Sequence, residues 1–380
     1  MTIFADKLRT RRDLMRDGES AFAFFDSCGR QPFQIFRSLV NEWATELPSL
    51  EQTEIKQRMR KGSDQQFYAA LAELIVHTMF VRLGHRVELH PKIDGTTRRP
   101  DFLVRGVDGE VLAYVEVTTF GPTSEDVSKT KRAAEVRAAI TKAKLPPGCR
   151  LGYSLRGATV RMPRVTSLVA DIERWARDAA DMSEQVFHRD GWSIELSLFR
   201  GSDDEVPSTG VIAAWGGEVR WVSGAKEIRD ALKTKATRYG ALTAPYMVTV
   251  VDCKDEIASG PRRELTEALL GDEVVEDHLS ASGAVRTYLV RQGGFWFKGR
   301  KPAHANVSAV LLLPRAGIWD LRDPGWEPFM AVNPWAVHPF PAGLLPLPGF
   351  AARDDKWTFV EGTSVADILG LPLEWPPRRD

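Results

Sequence analysis

The chain has 380 residues, 43% of them hydrophobic and 27% charged, and its 51 Lys and Arg residues balance 51 Asp and Glu. That supplies a substantial core for one to three domains, but it gives no global attraction to a polyanion, so nucleic-acid contact would have to come from local basic patches. No run of 18 apolar residues is free of charge, the start MTIFADKLRTRRD has no signal-like apolar stretch, and Cys28, Cys149 and Cys253 form neither a paired framework nor a C-x-x-C site; the expectation is a non-membrane protein of the reducing cytoplasm.

In chain order, residues 1–60 read as a helical region containing FQIFRSLVNEWATEL and EQTEIKQRMRKG, with a Cys-Gly-Arg-Gln-Pro break. FYAALAELIVHTMFVRLG, residues 67–84, predicts a long helix ending at Gly84, a suitable C′ residue. Glu73 and His77, four apart, share one face of it, which by pattern alone marks the solvated stripe of an amphipathic helix. RVELHP, residues 86–91, predicts a strand with Val87 and Leu89 on one side.

RRPDFLVRGVDGEVLAYVEVTTF, residues 98–120, predicts a β-hairpin turning at Asp108-Gly109 through a two-residue type I′ turn. Val107 then faces Glu110, and counting outward places Asp101 opposite Glu116, on one face with Leu103, Tyr114 and Thr118. Phe102, Val104, Ala113, Val115 and Val117 take the other face, so both sides should be covered. Two carboxylates about 5 Å apart, at an effective dielectric of about 20, repel by roughly 3 kcal/mol. A shared proton, a basic side chain or a divalent cation has to offset this. Arg99, opposite Thr118, could neutralise Glu116; an oxygen-rich pair equally suits Mg²⁺ or Mn²⁺.

Residues 126–224 read as an insertion, with the basic helical stretch KTKRAAEVRAAITKAK (129–144), a helix near SLVADIERWARDAADM and the strand WSIELSLF. In AKEIRDALKTKATRYGALTAPYMVTVVD, residues 225–252, a helix stopped by Gly240 precedes a buried strand from Tyr246 to Val251, and Lys235 and Tyr239, four apart, reach toward one place; Lys233 competes with Lys235. The remainder is rich in Pro and Trp, and its apolar stretches VSAVLLLP and PWAVHPFPAGLLPLPGF should wrap the core rather than form helices. Within it, GGFWFKGRKP offers Lys298, Arg300 and Lys301 beside aromatics, either for phosphate contact and base stacking or as a surface turn. Asp252, Asp255 and Glu256 read as a solvated strand exit, and His85 and His90 as surface residues. No nucleophile elbow and no phosphate-binding Gly-rich loop is present.

Pro100-Asp101 followed by Glu116-Val117-Thr118, after an acid-bearing helix, resembles the PD-(D/E)xK nuclease superfamily, with Thr118 standing where that motif has Lys. The order is also similar to that of a bacterial group with E-x-T in this position. The resemblance implies an α/β restriction endonuclease-like core, αβββαβ, with a mixed sheet flanked by helices. The core would span 61–125 and 225–260, carrying a large insertion, a helical N-terminal region and a Pro/Trp-rich C-terminal region (261–380) packed on it. It further implies Mg²⁺ or Mn²⁺ held by Asp101 and Glu116 with Glu73 as an additional ligand. KATRY is similar to the Q-x-x-x-Y motif of an exonuclease-like branch, which places Lys235 as the relocated lysine and Tyr239 as its positioning partner. The expected activity is metal-dependent hydrolysis of phosphodiester bonds in nucleic acid, DNA foremost, in a bacterial defence role. Arg99, Lys298, Arg300 and Lys301 would be backbone contacts. Thr118 and the neutral charge motivate the alternative, a degenerate nuclease fold that binds nucleic acid or a protein partner without hydrolysis; a purely structural protein with Arg99 neutralising the acids is the third reading.

Overall fold

The computed structural model describes residues 2–16, 18–121, 124–157, 161–200, 211–214, 224–253, 260–279, 285–298, 301–314, 319, 321–323, 326–353 and 356–376. These form two compact units: one of Met1–Asp13, Ser20–Gly121 and Val222–Asp380, the other of Leu14–Glu19 and Pro122–Trp221. No described helix is long and apolar enough to cross a membrane.

The first unit opens with α1 (Ala21–Ser27), α2 (Gln31–Thr45), α3 (Ser49–Lys61) and α4 (Asp64–Arg82), followed by the strands β1 (Arg86–Leu89), β2 (Phe102–Arg105) and β3 (Val111–Phe120). α4 begins in a capping box, Ser63 accepting from Gln66 N–H while the Gln66 side chain accepts from Ser63 N–H. It ends as the sequence predicts. Gly84 takes φ +86°, with Gly84 N–H bonded to Val81 and His85 N–H to Phe80, a Schellman closure that frees the chain to turn directly into β1. The solvated stripe does not exist: His77 is buried, because α3, α2 and α1 pack outside α4 while the sheet lies inside.

The second unit holds α5 (Ser124–Ile140), β4 (Cys149–Arg156), α6 (Val165–Asp178), β5 (Glu184–Arg189), β6 (Trp192–Arg200) and β7 (Val211–Ala214), with sheet order β5-β6-β4-β7. Val136 and Ile140 of α5 and Leu168 and Ile172 of α6 pack on Leu151, Ile194, Leu196 and Leu198. The basic stretch 129–144 is thereby the C-terminal part of α5, to Ile140, and the turn after it, with Val136 and Ile140 turned inward and Lys131 and Lys142 exposed.

The first unit resumes with α7 (Gly224–Ala236), β8 (Tyr246–Asp252), α8 (Pro261–Leu270), the hairpin β9 (Gly271–Leu279) and β10 (Val285–Gly293), the short pair β11 (Phe297–Lys298) and β12 (Lys301–Pro302), then β13 (Ala309–Leu313), β14 (Phe329–Val332), β15 (Gly349–Arg353), β16 (Lys356–Val360) and α9 (Val365–Ile368). The main sheet is mixed and eight-stranded, in the order β1-β2-β3-β8-β13-β14-β15-β16. β1, β2 and β3 form an antiparallel meander, whereas β3, β8 and β13 run parallel. Parallel neighbours need crossovers, and the connections carrying α7 and α8 supply them. The C-terminal region differs from expectation. Rather than only wrapping the core, it adds β13–β16 to the sheet, and Ala309–Leu313 is buried throughout beside β8. The proline-rich 334–348 stretch does wrap, sending Phe340, Leu344, Leu345 and Leu347 into the core.

Both faces of the meander are covered, as its residues predict. Phe102, Val104, Ala113, Val115 and Val117 pack in the cluster with α4, while Tyr114 packs with Tyr246, Val248 and Ile228 on the α7 side. The hairpin keeps the predicted register by a different route. Its turn is a three-residue loop, Gly109 N–H bonding to Gly106 and Gly106 N–H to Glu110, with positive φ only at Gly109. This shifts the pairing by one residue, Arg105 facing Val111, and a bulge between Val104 and Arg105 shifts it back, so Leu103 faces Tyr114 and Phe102 faces Val115. One step outward, Asp101 comes beside Glu116.

Candidate active site

Asp101 precedes β2 and Glu116 sits in mid β3. Asp101 Oδ2 accepts from Val117 N–H at 2.6 Å, which ties the carboxylate to β3, and the Asp101 carbonyl accepts from His90 N–H at 2.9 Å. Burial and the nearby Glu116 and Glu73 carboxylates push the Asp101 pKa up, against the opposing pull of Val117 N–H and Lys235. Glu116 is only 2% exposed, since β8 flanks it on the side away from β2 and α7 covers its face of the sheet.

α7 carries what neutralises it. Lys235 in the last helical turn donates its ammonium to Glu116 Oε1, and the Tyr239 hydroxyl donates to Oε2. The same hydroxyl lies 3.0 Å from the Arg99 carbonyl; with one proton for two acceptors, the charged carboxylate is the stronger claimant. Desolvation and the Glu116 charge raise the Tyr239 pKa, so it remains a neutral donor. The helix stops at Ala236, short of the predicted Gly240, and Arg238 N–H bonds to the Lys235 carbonyl in the turn beyond. Lys235 and Tyr239 therefore meet on Glu116 through a helix end and a turn, not along one helical face. Lys233, the competitor, is exposed and lies 3.6 Å from Asp230.

Arg99 does not neutralise the pair. Its side chain is exposed and makes no ion pair with either carboxylate; only its backbone carbonyl faces the site, and the charge is met by Lys235 instead. Glu73 reaches Asp101 electrostatically, yet both its oxygens are taken by the Arg58 guanidinium at 2.6 Å each. A bidentate clamp of this kind fixes Glu73 as a flanking charge. Arg58 escaped the sequence reading, because a helix-to-helix pair across a turn leaves no spacing signal beyond the ordinary charge pattern of α3. Arg238 was missed too: its Nε lies 3.9 Å from Glu116 Oε1 and its guanidinium 5.8 Å from the Tyr239 ring centre.

Lys298 and Lys301 are exposed on the β11–β12 pair, and the chain returning from it touches α7, where the Asn306 amide donates to the Ala236 carbonyl. Arg300, Asp255 and Glu256 lie outside the described residues. Asp252, read as solvated, is buried instead, because β3 still pairs alongside it, Phe120 opposite Asp252, and β13 runs beside β8 up to Val251.

Among the described residues no group of three or more His, Cys, Asp or Glu is arranged to hold a metal ion. Asp101, Glu116 and the Val117 carbonyl are oxygen donors of the kind Mg²⁺ or Mn²⁺ takes, one or two carboxylates with water and substrate oxygens completing the shell, although Lys235 and Tyr239 already hold both Glu116 oxygens. In a strand the N–H and C=O of one residue point the same way, so the Val117 carbonyl faces the Asp101 side, where β2 has already ended. Among the described residues no donor reaches Asp101 Oδ1, and two adjacent acids raise the proton affinity that a cation would relieve.

Below the site, His77 lies 6.1 Å from the Phe102 ring with its Nδ1 unpartnered, and burial pushes its pKa down to about 4. A histidine depressed in the folded state contributes stability above its unfolded pKa of about 6.5 and loses it as pH falls toward the folded value. The wild type should therefore lose roughly 3 kcal/mol between pH 6.5 and 4 from this group, and His77→Leu should flatten that part of the profile in urea unfolding.

No family model matches the chain, and no curated protein and no solved structure matches it either.

Proposed function

We propose that the protein is a metal-dependent phosphodiesterase acting on nucleic acid, DNA foremost, with a restriction endonuclease-like core made by α4, β1–β3, α7 and β8. The observation that carries this reading is the convergence on one buried carboxylate of Lys235 and Tyr239, 119 and 123 residues further along the chain, beside a second carboxylate of raised proton affinity. A perturbed acid grouped with a second acid and a cation is a pattern that clusters at sites of general acid and base chemistry.

In this reading Asp101, Glu116 and the Val117 carbonyl hold Mg²⁺ or Mn²⁺. When bound, the metal would polarise the phosphate and acidify a water. Lys235 stands in for the strand lysine that Thr118 replaces: its ammonium orients the attacking water and balances charge developing on the phosphate. Tyr239 holds the second Glu116 oxygen, fixing the carboxylate's rotamer, and Arg58 keeps Glu73 from folding into the acid pair.

Incubating the protein with plasmid and with single-stranded DNA should give cleavage that depends on Mg²⁺ or Mn²⁺, and calorimetric titration with either ion should saturate. One observation favours the rival reading of a nuclease fold that binds without cutting: both Glu116 oxygens are already engaged by the protein's own groups. Titration that shows no saturable metal binding, with no cleavage of either substrate, would favour that rival.

A further inference from the structure

Resting on the nucleic-acid reading above, we infer that Arg238 and Arg98 form a two-guanidinium clamp for a backbone phosphate at the mouth of the acid pair. The short ion pairs at the site are made by other cations. Arg58 is matched by Glu73 and Lys235 by Glu116, whose second oxygen is occupied by Tyr239. Arg238 makes only a long ion pair, its Nε 3.9 Å from Glu116 Oε1, beyond hydrogen-bond range, and that Nε has no hydrogen-bond partner. Its side chain is 39% exposed although its Nε is buried, and the guanidinium carbon lies over the Tyr239 ring, 5.8 Å from the ring centre.

Arg98 is tied to the same turn. Its Nη1 donates to the Arg238 carbonyl at 3.4 Å, and its own N–H donates to Thr96 Oγ1 at 3.1 Å, which orders the loop before β2. Arg98 is otherwise exposed. An exposed arginine and a half-buried one, from segments 140 residues apart and joined by a side-chain-to-backbone hydrogen bond next to buried acids, give a positive rim beside the acids. Acids alone repel a polyanion; a rim of planar forks recognises phosphate oxygens in pairs and offsets that repulsion at the point where the substrate must approach.

The test is fluorescence anisotropy with labelled double-stranded and single-stranded DNA, and RNA of the same sequence, in Ca²⁺ buffer at several salt concentrations. Arg238→Gln and Arg98→Gln should each weaken binding about tenfold, and each should reduce the slope of log K against log salt by about 0.7 to 0.9. Arg238→Lys should keep the slope and lose part of the affinity. Arg86→Gln, removing an exposed arginine on β1, controls for net charge and should leave both unchanged. Slopes and affinities unaltered by Arg98→Gln and Arg238→Gln, in a protein whose wild type cuts DNA, would overturn the clamp and leave the hydrolytic reading standing. The predicted slope changes in a protein that never cuts would uphold the clamp and remove the hydrolytic reading.

Discussion

Asp101→Asn should reduce phosphodiester cleavage by a factor of about 10³ or more while making the protein more stable in alkaline solution. Burial beside Glu116 and Glu73 raises the folded pKa of Asp101 to about 8. An acid that binds its proton more tightly when folded stabilises the fold below its unfolded pKa near 3.8, and that stability drains away as pH rises through the folded value. Asparagine is neutral throughout and can still accept from Val117 N–H. The stability difference between variant and wild type should thus be small at pH 4 and reach about 2 kcal/mol or more, in favour of the variant, at pH 9. Urea unfolding across that range measures it, and adding Mg²⁺ to the wild type should recover part of the loss. A variant less stable than wild type at pH 9 would contradict the assigned charge environment.

Lys235→Met is expected to do the opposite on stability and the same on activity. The ammonium pairs with a glutamate that is 2% exposed, and removing one member of a buried ion pair leaves the other uncompensated, typically at 3–5 kcal/mol. Tyr239 alone cannot supply the charge. Glu116→Gln placed in the same chain should restore most of that stability, since the buried charge is then gone, but it should not restore cleavage. A double-mutant cycle from denaturant unfolding gives the coupling energy directly. Near-additive losses in the cycle would mean that Lys235 and Glu116 do not form a pair.

How much of this was written in the sequence depends on the range of the interaction. The Asp101 and Glu116 juxtaposition was legible because side chains alternate with period two, and a register that buried Val104 and Val115 together fixed the rest. It survived a wrong turn type only because the bulge at Val104 and Arg105 cancelled the extra loop residue. Gly84 was legible because only a left-handed residue closes that helix end. The alternative in which Arg99 neutralises the acids fails for a related reason: opposition in register says which face a residue joins at a strand's end, not where a long flexible side chain goes, and Lys235 meets the charge instead. The strands β14–β16 were illegible because proline and glycine around short apolar runs leave the same composition whether a segment pairs or merely packs. His77 looked solvated because a helix wrapped on all sides retains a polar-looking spacing that packing overrides.

The parallel pairing of β3 with β8 has a consequence for how the molecule is made. Glu116 leaves the ribosome 119 residues ahead of Lys235, a delay of about 10 seconds at ordinary elongation rates. Throughout that interval the nascent meander displays an uncovered apolar face and an acid whose counter-ion has not yet been translated, while the unit of residues 122–221 emerges between them. The central sheet is therefore a late product of synthesis, closed from the C-terminal side.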